Sequence, residues 1–157
     1  MKKVLICGAT GFIGKNITLG LSKNINYEIH AVRYKRPKYD SPKNVTWHRA
    51  DLRNPIMVDK LVKGMDIIIQ CAATTSGSKD IVSMPYIHVT DNAIINSYIF
   101  RAAYTHKVKH FIFPSCTVMY PSSKKPTKET DFNGIIIDKY KGAGETKVYF
   151  EKIAKFY

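Results

Sequence analysis

Acidic residues are scarce in this chain of 157 residues: 12 Asp and Glu stand against 25 Lys and Arg, for a formal charge of +13. That balance favours anionic partners, among them dinucleotide phosphates, nucleotide sugars and nucleic acid. Cysteine is rare as well. Cys7, Cys71 and Cys116 are odd in number, far apart in sequence and placed in or near predicted inner strands, which excludes a disulfide framework and a metal site and leaves reduced, packed thiols. No run approaches the ~18 apolar residues of a membrane span. Two lysines and then a run of only four apolar residues, Val4 to Cys7, precede Gly8, too short for a signal-peptide core, so the expectation is a cytoplasmic protein with no membrane contact. Linkers and internal repeats are missing too. Residues 1–157 are therefore expected to form one domain that buries roughly 70% of the surface its unfolded chain exposes.

What is present begins with Gly8-Ala9-Thr10-Gly11-Phe12-Ile13-Gly14, set between the apolar strand Val4-Leu5-Ile6-Cys7 and a helical stripe of Ile13, Ile17 and Leu21. Glycines at such a turn let the backbone bend sharply, approach a pyrophosphate and pack the helix on the strand, while the helix N-terminus offers N–H groups to the phosphates. The turn is read as dinucleotide-binding, through Gly8, Thr10, Gly11, Phe12, Ile13 and Gly14. Its spacing is GxxGxxG and it follows the first strand. In both respects it resembles the extended short-chain dehydrogenase/reductase superfamily.

Strand-like runs recur at 3–7, 27–33, 45–48, 66–71 and 108–113, with helical patterns in most of the intervals. That alternation predicts an α/β fold, a Rossmann-type doubly wound parallel sheet with helices on both faces. Asn54-Pro55 opens a helix reaching about Lys63, with Gly64 as its stop. A long helix over 84–105 carries a wide stripe of Ile94, Ile95, Tyr98, Ile99, Ala102 and Ala103. The almost wholly apolar run 108–113 reads as a strand covered on both faces. Ligands of such sheets bind outside the carboxyl ends of the strands, so motifs there count most.

The second strand ends Ala31-Val32-Arg33, with no acid to bond an adenosine ribose 2′-hydroxyl. Arg33, Lys35 and Arg36 suit a 2′-phosphate instead, so NADP is the preferred cofactor, with NAD the alternative. The resemblance implies further roles. Asp51-Leu52 corresponds to the superfamily's adenine-binding pair, although an aspartate there also suits a helix N-cap. Gln70-Cys71-Ala72-Ala73 falls on a His-x-Ala-Ala element whose small residues, Ala72 and Ala73, let the backbone lie against the cofactor; Gln70 replaces the histidine. Asn92 matches an asparagine that joins the central strand to the active-site helix.

The segment from Phe111 to Pro121 is similar to that of GDP-fucose synthases and related sugar-nucleotide epimerases and dehydratases, in which a strand leads to a hydroxyl cluster and then Tyr-Pro. Cys116 stands at the catalytic Ser/Thr position, flanked by Ser115 and Thr117; a thiol donates weakly, so Thr117 and then Ser115 are the expected hydroxyls. The family's catalytic Tyr-x-x-x-Lys places its lysine at Lys147, which would bind the nicotinamide ribose. Its tyrosine position then holds Ala143. Tyr140 is the nearest substitute, ahead of the glycine-spaced run Lys141-Gly142-Ala143-Gly144, which reads as a flexible turn before a helix from 144. Taking Tyr140 as the motif tyrosine puts Gly144 at the lysine position, and taking Lys141 as the lysine puts Ile137 at the tyrosine position.

The resemblance covers the whole chain but only the N-terminal, cofactor-binding part of the family, whose members continue into a C-terminal substrate lobe. It implies an NAD(P)-dependent sugar-nucleotide epimerase, dehydratase or reductase with a nucleotide-sugar partner. A homodimer is expected, from the long helix and from the stripe of Tyr149, Ile153, Phe156 and Tyr157. Two other readings stand beside it. One is a catalytically silent NAD(P)-binding sensor; the other is an RNA-binding relative using the basic runs 33–38 and 124–128 with Tyr34 and Tyr39 as stacking surfaces.

Overall fold

The computed structural model describes residues 1–75, 80 and 83–157. The chain divides into two compact units, one of residues 1–73 and 95–114, the other of residues 74–94 and 115–157.

The first unit is built on five parallel strands: β1 (Lys2–Cys7), β2 (Tyr27–Arg33), β3 (Val45–Arg49), β4 (Ile67–Gln70) and β5 (His110–Ile112). Their order is β3-β2-β1-β4-β5, so the chain winds outward from β1 to β3 and then crosses back to β4. The reversal lies between the ends of β1 and β4, where doubly wound sheets form their ligand crevice. Alternate residues of each strand feed two cores. On one face Val4, Ile6, Ile29, Ala31, Val45 and Ile69 meet Ile17 and Leu21 of α1 (Phe12–Leu21). On the other, Leu5, Cys7, Val32 and Ile68 meet Val58 and Val62 of α2 (Pro55–Val62) and Ile95, Ile99, Ala102 and Ala103 of α3 (Pro85–Thr105). Helices cover both faces, as the alternation predicts.

Several boundaries carry physical information. Helix α2 stops at Val62, and Gly64 follows at φ 78°, a left-handed conformation that suits glycine. Its N-cap is Asn54, whose side-chain oxygen accepts from the backbone N–H of Ile56 at 3.0 Å and of Met57 at 3.1 Å. Asp51 does not cap this helix. Strand β5 is shorter than its apolar run suggests: among the described residues it pairs with β4 alone, and Ile112 is 42% exposed.

At the other end of the strand order, the side chains of β2 and β3 are fastened by a polar chain. Glu28 Oε1 lies 3.0 Å from His30 Nε2, and His30 Nδ1 lies 2.9 Å from His48 Nε2, with the two imidazole planes within 16° of parallel.

In the second unit, single 3₁₀ turns at Thr117–Met119, Glu129–Asp131 and Asp138–Tyr140 precede α4 (Lys141–Phe156). The glycine-spaced run is not a flexible turn but the first turn of this helix. A Cβ at Gly142 would come within 2.9 Å of Val89, and one at Gly144 within 2.8 Å of Ile136. These glycines allow close packing. Phe150 is the buried anchor of α4, while Tyr149, Phe156 and Tyr157 are exposed. None of the three cysteines forms a disulfide, and burial pushes the Cys7 thiol up to about 12. No helix among the described residues is long and apolar enough to cross a membrane.

Replacing the α2 cap by Asn54→Ala is expected to lower stability by about 1 kcal/mol, read from urea denaturation. Asp51→Ala should leave the α2 helical signal intact, since that carboxylate caps nothing; equal helix loss in both variants would contradict the assignment.

Candidate functional site

The glycine turn is defined by how closely backbone approaches backbone. Gly8 adopts φ 74°, and a Cβ there would lie 2.7 Å from the N and Cα of Ala72. No side chain fits between the β1 exit and the β4 exit. The Ala9 N–H donates to Val32 O at 2.9 Å and the Cys71 N–H to Cys7 O at 3.1 Å, so the turn is tied to both neighbouring strands. A Cβ on Gly14 would overlap the Gly8 carbonyl oxygen, which is why α1 can start directly beneath the turn. The Gly11 N–H donates to Gly8 O at 2.9 Å, and Gly11 occupies the N-cap without a capping side chain. The first turn of α1 holds no acid, and Phe12 and Ile13 are 86% and 52% exposed. Thr10 is partly buried at the bend. The result is an open, uncapped helix N-terminus at the reversal point of the sheet, the arrangement that accommodates phosphates.

Gln70, at the position of the family's histidine, is almost fully buried. Its amide nitrogen donates to Ala72 O at 3.0 Å and to Asn96 Oδ1 at 2.8 Å, and its oxygen accepts from the Ala72 N–H at 3.3 Å. The side chain thereby fixes the backbone of Ala72, the residue that faces Gly8. Ala73 follows and is exposed.

A second cluster forms at the ends of β2 and β3. Asp51 receives a bidentate pair from Arg53, Nε to Oδ1 at 3.0 Å and Nη2 to Oδ2 at 2.8 Å, plus the Arg53 backbone N–H at 3.0 Å. Arg53 Nη2 also donates to the Tyr34 hydroxyl at 3.2 Å. Arg53's hydrogen bonds hold the Asp51 carboxyl well down, at about 2. Leu52 points into the core with Val58 and Val62. Arg33 Nη1 donates to Arg36 O at 3.3 Å, and the Arg36 side chain is exposed.

Within the second unit, Asn92 clamps the strand-following segment. Its oxygen accepts from Thr74 N at 2.7 Å, and its amide donates to Thr74 O at 3.1 Å and His88 O at 2.6 Å. Thr117 is exposed at the start of its 3₁₀ turn, and the Ser115 hydroxyl points at Met119 Sδ, 3.8 Å away. Between them sits Cys116. Burial raises its thiol above the usual value, opposed by the nearby Lys147 ammonium and by the backbone N–H groups of Val118 and Met119. The lysine charge thus reaches the residue at the family's hydroxyl position, and that residue is a thiol. Ala143 stands one helical turn before Lys147. Tyr140 stands two turns before it, roughly 10 Å along the axis, with Lys139 Nζ 5.3 Å from its ring centre.

Sequence reasoning missed Arg53 and Asn96. Arg53 was findable, because an Asp followed two residues later by a backbone N–H partner is a common turn pattern. Asn96 is 26 residues from Gln70 and gave no local signal.

These features agree with the comparisons. The profile of the NAD dependent epimerase/dehydratase family matches residues 4–157, and the chain belongs to that family. It is 29% identical over 125 residues to GDP-mannose 3,5-epimerase 1 of Oryza sativa subsp. japonica, covering 78% of this chain and 33% of that protein. Among solved structures, the UDP-Glc/GlcNAc 4-epimerase of Campylobacter jejuni superposes with TM-score 0.82 at 18% identity, covering 99% of this chain and 49% of that one. A Bacillus cereus UDP-glucuronic acid 4-epimerase, in complex with UDP-glucuronic acid and NAD, gives 0.81 at 22% identity over 98% of this chain and 51% of its own. The chain spans about a third of the curated relatives it matches and about half of these solved structures.

Gly8→Ala is expected to destabilise the fold by several kcal/mol, since it adds strain at positive φ to a backbone collision. Asn96→Leu should cost about 1–3 kcal/mol by leaving the buried Gln70 amide unsatisfied. Thermal denaturation checks both, and an unchanged midpoint in either would refute the packing described.

Proposed function

We propose that this chain is the cofactor-binding portion of an NAD(P)-dependent sugar-nucleotide epimerase, dehydratase or reductase. The observation that carries this reading is the collision-limited contact of Gly8 with Ala72 beside the uncapped start of α1, which leaves room for a pyrophosphate and for no side chain. The residues present fit a dinucleotide: Gly8, Thr10, Gly11, Phe12, Ile13 and Gly14 line the phosphate turn, Asp51 and Leu52 serve the adenine end, and Ala72 and Ala73 pass the cofactor as backbone. Arg33 and Arg36, with no acid at the end of β2, support a preference for NADP over NAD. A bound nicotinamide would supply the hydride chemistry. The chain's part is to place hydrogen-bonding groups: Lys147 on the nicotinamide ribose, Thr117 and Ser115 on the reacting sugar oxygen, and Tyr140 as the proton relay.

Calorimetric titration with NADPH and NADH, each with and without GDP-, UDP- and dTDP-sugars, tests this reading. NADPH binding tighter than NADH and strengthened by one nucleotide sugar is expected. Equal or tighter NADH binding would refute the NADP preference, and no dinucleotide binding would refute the whole proposal.

A second reading, a silent cofactor-binding module, is favoured by one observation: Ala143 occupies the position one turn before Lys147, where a phenol would act. A phenolic acid/base is worth about 10²- to 10⁴-fold in rate. If the protein is silent, Ala143→Tyr should create hydride transfer absent from the wild type, followed by reduced-nicotinamide absorbance. If Tyr140 relays the proton, Tyr140→Phe should abolish a rate the wild type already has.

A further inference from the structure

Each of the five strands is entered past an exposed lysine. Lys2 and Lys3 open β1, Lys23 stands four residues before β2 and Lys43 two before β3. Lys63 stands four residues before β4, and Lys107 and Lys109 lead into β5. Scattered along the sequence, these charges are brought by parallel pairing to one end of the sheet. The register levels that end. Lys2 pairs with Tyr27, and Val4, Ile29, Val45, Ile67 and His110 stand in one row, so all five strand starts fall within two residues of each other, roughly 7 Å.

Helix ends account for part of this charge. Lys23 follows α1, Lys63 ends α2 and Lys107 follows α3, where a cation offsets the partial negative charge of the last carbonyls. Lys2, Lys3 and Lys43 answer to no helix end. Lys107 is held at φ 54°, a left-handed conformation that glycine adopts at less cost, so the fold keeps a side chain there against strain. The acids at this end are engaged. Asp59 Oδ1 lies 2.7 Å from His106 Nε2, Asp66 accepts from the Lys3 N–H at 3.0 Å and from Lys109 Nζ at 3.1 Å, and Glu28 Oε1 lies 3.0 Å from His30 Nε2. Two exposed apolar side chains stand among the lysines. Ile25, 83% exposed, sits in the turn between α1 and β2, which the Lys2 N–H ties to β1 through Asn26 O at 2.8 Å; Tyr104, 61% exposed, lies in the last turn of α3.

We propose that this end of the first unit is a docking surface for an anionic lipid bilayer, with its lysines against the headgroup phosphates and Ile25 and Tyr104 seated among the headgroups. A level face with cationic side chains around a few apolar ones suits the plane of a bilayer. A nucleic-acid backbone would match the lysines and leave the two apolar side chains unused. Docking by the strand starts turns the crevice at the strand exits toward solution. The contact is with headgroups alone and needs no spanning helix; it departs from the expectation of no membrane contact, which rested on the length of apolar runs. It does not depend on the cofactor reading.

The test is co-sedimentation of the full chain with vesicles of phosphatidylcholine alone and of phosphatidylcholine mixed with phosphatidylglycerol, with circular dichroism to confirm the fold of each variant. Binding is expected on the anionic vesicles only, and is expected to vanish at about 1 M salt, where charges are screened beyond roughly 3 Å. Replacing Lys2, Lys23 and Lys63 together by glutamine should weaken it about a hundredfold, each lysine near an anionic surface being worth about a factor of five. Ile25→Ser should weaken it about fivefold at unchanged charge. Lys107→Gly should also weaken it about fivefold, while the melting temperature does not fall. Removing the same charge from the exposed run at Lys124, Lys125 and Lys128 should change binding by less than about twofold. Equal losses from the two triple variants would mean attraction by net charge without a docking face, and would overturn the proposal. So would an absence of binding to anionic vesicles, or a single-stranded oligonucleotide that binds through Lys2, Lys23 and Lys63 where vesicles do not.

Discussion

The contact between the backbones of Gly8 and Ala72 is the constraint on which the first unit turns. It sits where the sheet reverses direction, so its closeness fixes how near β1 and β4 can exit to one another. It also fixes where α1 begins, because Gly14 packs on the same Gly8 carbonyl. One face of this arrangement is braced by Gln70, which binds both the N–H and the carbonyl of Ala72 and is itself held by Asn96 from α3. The turn is therefore a small rigid assembly of main chain, locked by one buried amide pair, and its openness to solvent is set by what glycine lacks.

The parts of the fold legible in the sequence were those with short-range causes. The order of strands and helices followed from hydrophobic period, and the glycine turn from spacing next to an apolar strand. Asn54-Pro55 announced α2 correctly because capping is a matter of adjacent residues. The errors share a cause. Gly142 and Gly144 read as a flexible turn, because glycine serves both loops and close helix packing, and only Val89 and Ile136 decide which. The apolar run around β5 promised burial on both faces, but among the described residues Ile112 is 42% exposed, which the run itself does not signal. Asp51 carried two readings until the structure gave the cap to Asn54 and the carboxylate to Arg53.

The candidate catalytic segment was legible by pattern and harder to read by chemistry. The family's spacing points to Lys147 and to the position of Cys116, and the Lys147 charge acts on that thiol, against the effect of burial. A raised thiol beside a lysine is a poorer hydrogen-bond donor than the hydroxyl usually found there. Together with alanine one turn before Lys147, it sets the proposed cofactor turn, which is made of main chain, apart from the proposed turnover, which would depend on a few side chains.

The chain of Glu28, His30 and His48 along the sheet edge can be read as an exercise in counting hydrogens. With both imidazoles neutral, His30 donates one ring hydrogen to Glu28, and the single hydrogen between the rings comes from His48; each contact holds one hydrogen. One added proton still leaves one hydrogen between the rings and a cation beside the glutamate. A second would turn both facing nitrogens into donors 2.9 Å apart, with nothing left to accept. Burial, and after it the charge of His30, lowers the affinity of His48 for that proton. In the unfolded chain His48 takes its proton near pH 6.5. The strand edge is accordingly sound above that value and loses stability as acid forces the second proton in. A seam between two strands held by one hydrogen between two rings is thus also a limit on how many protons the fold can hold.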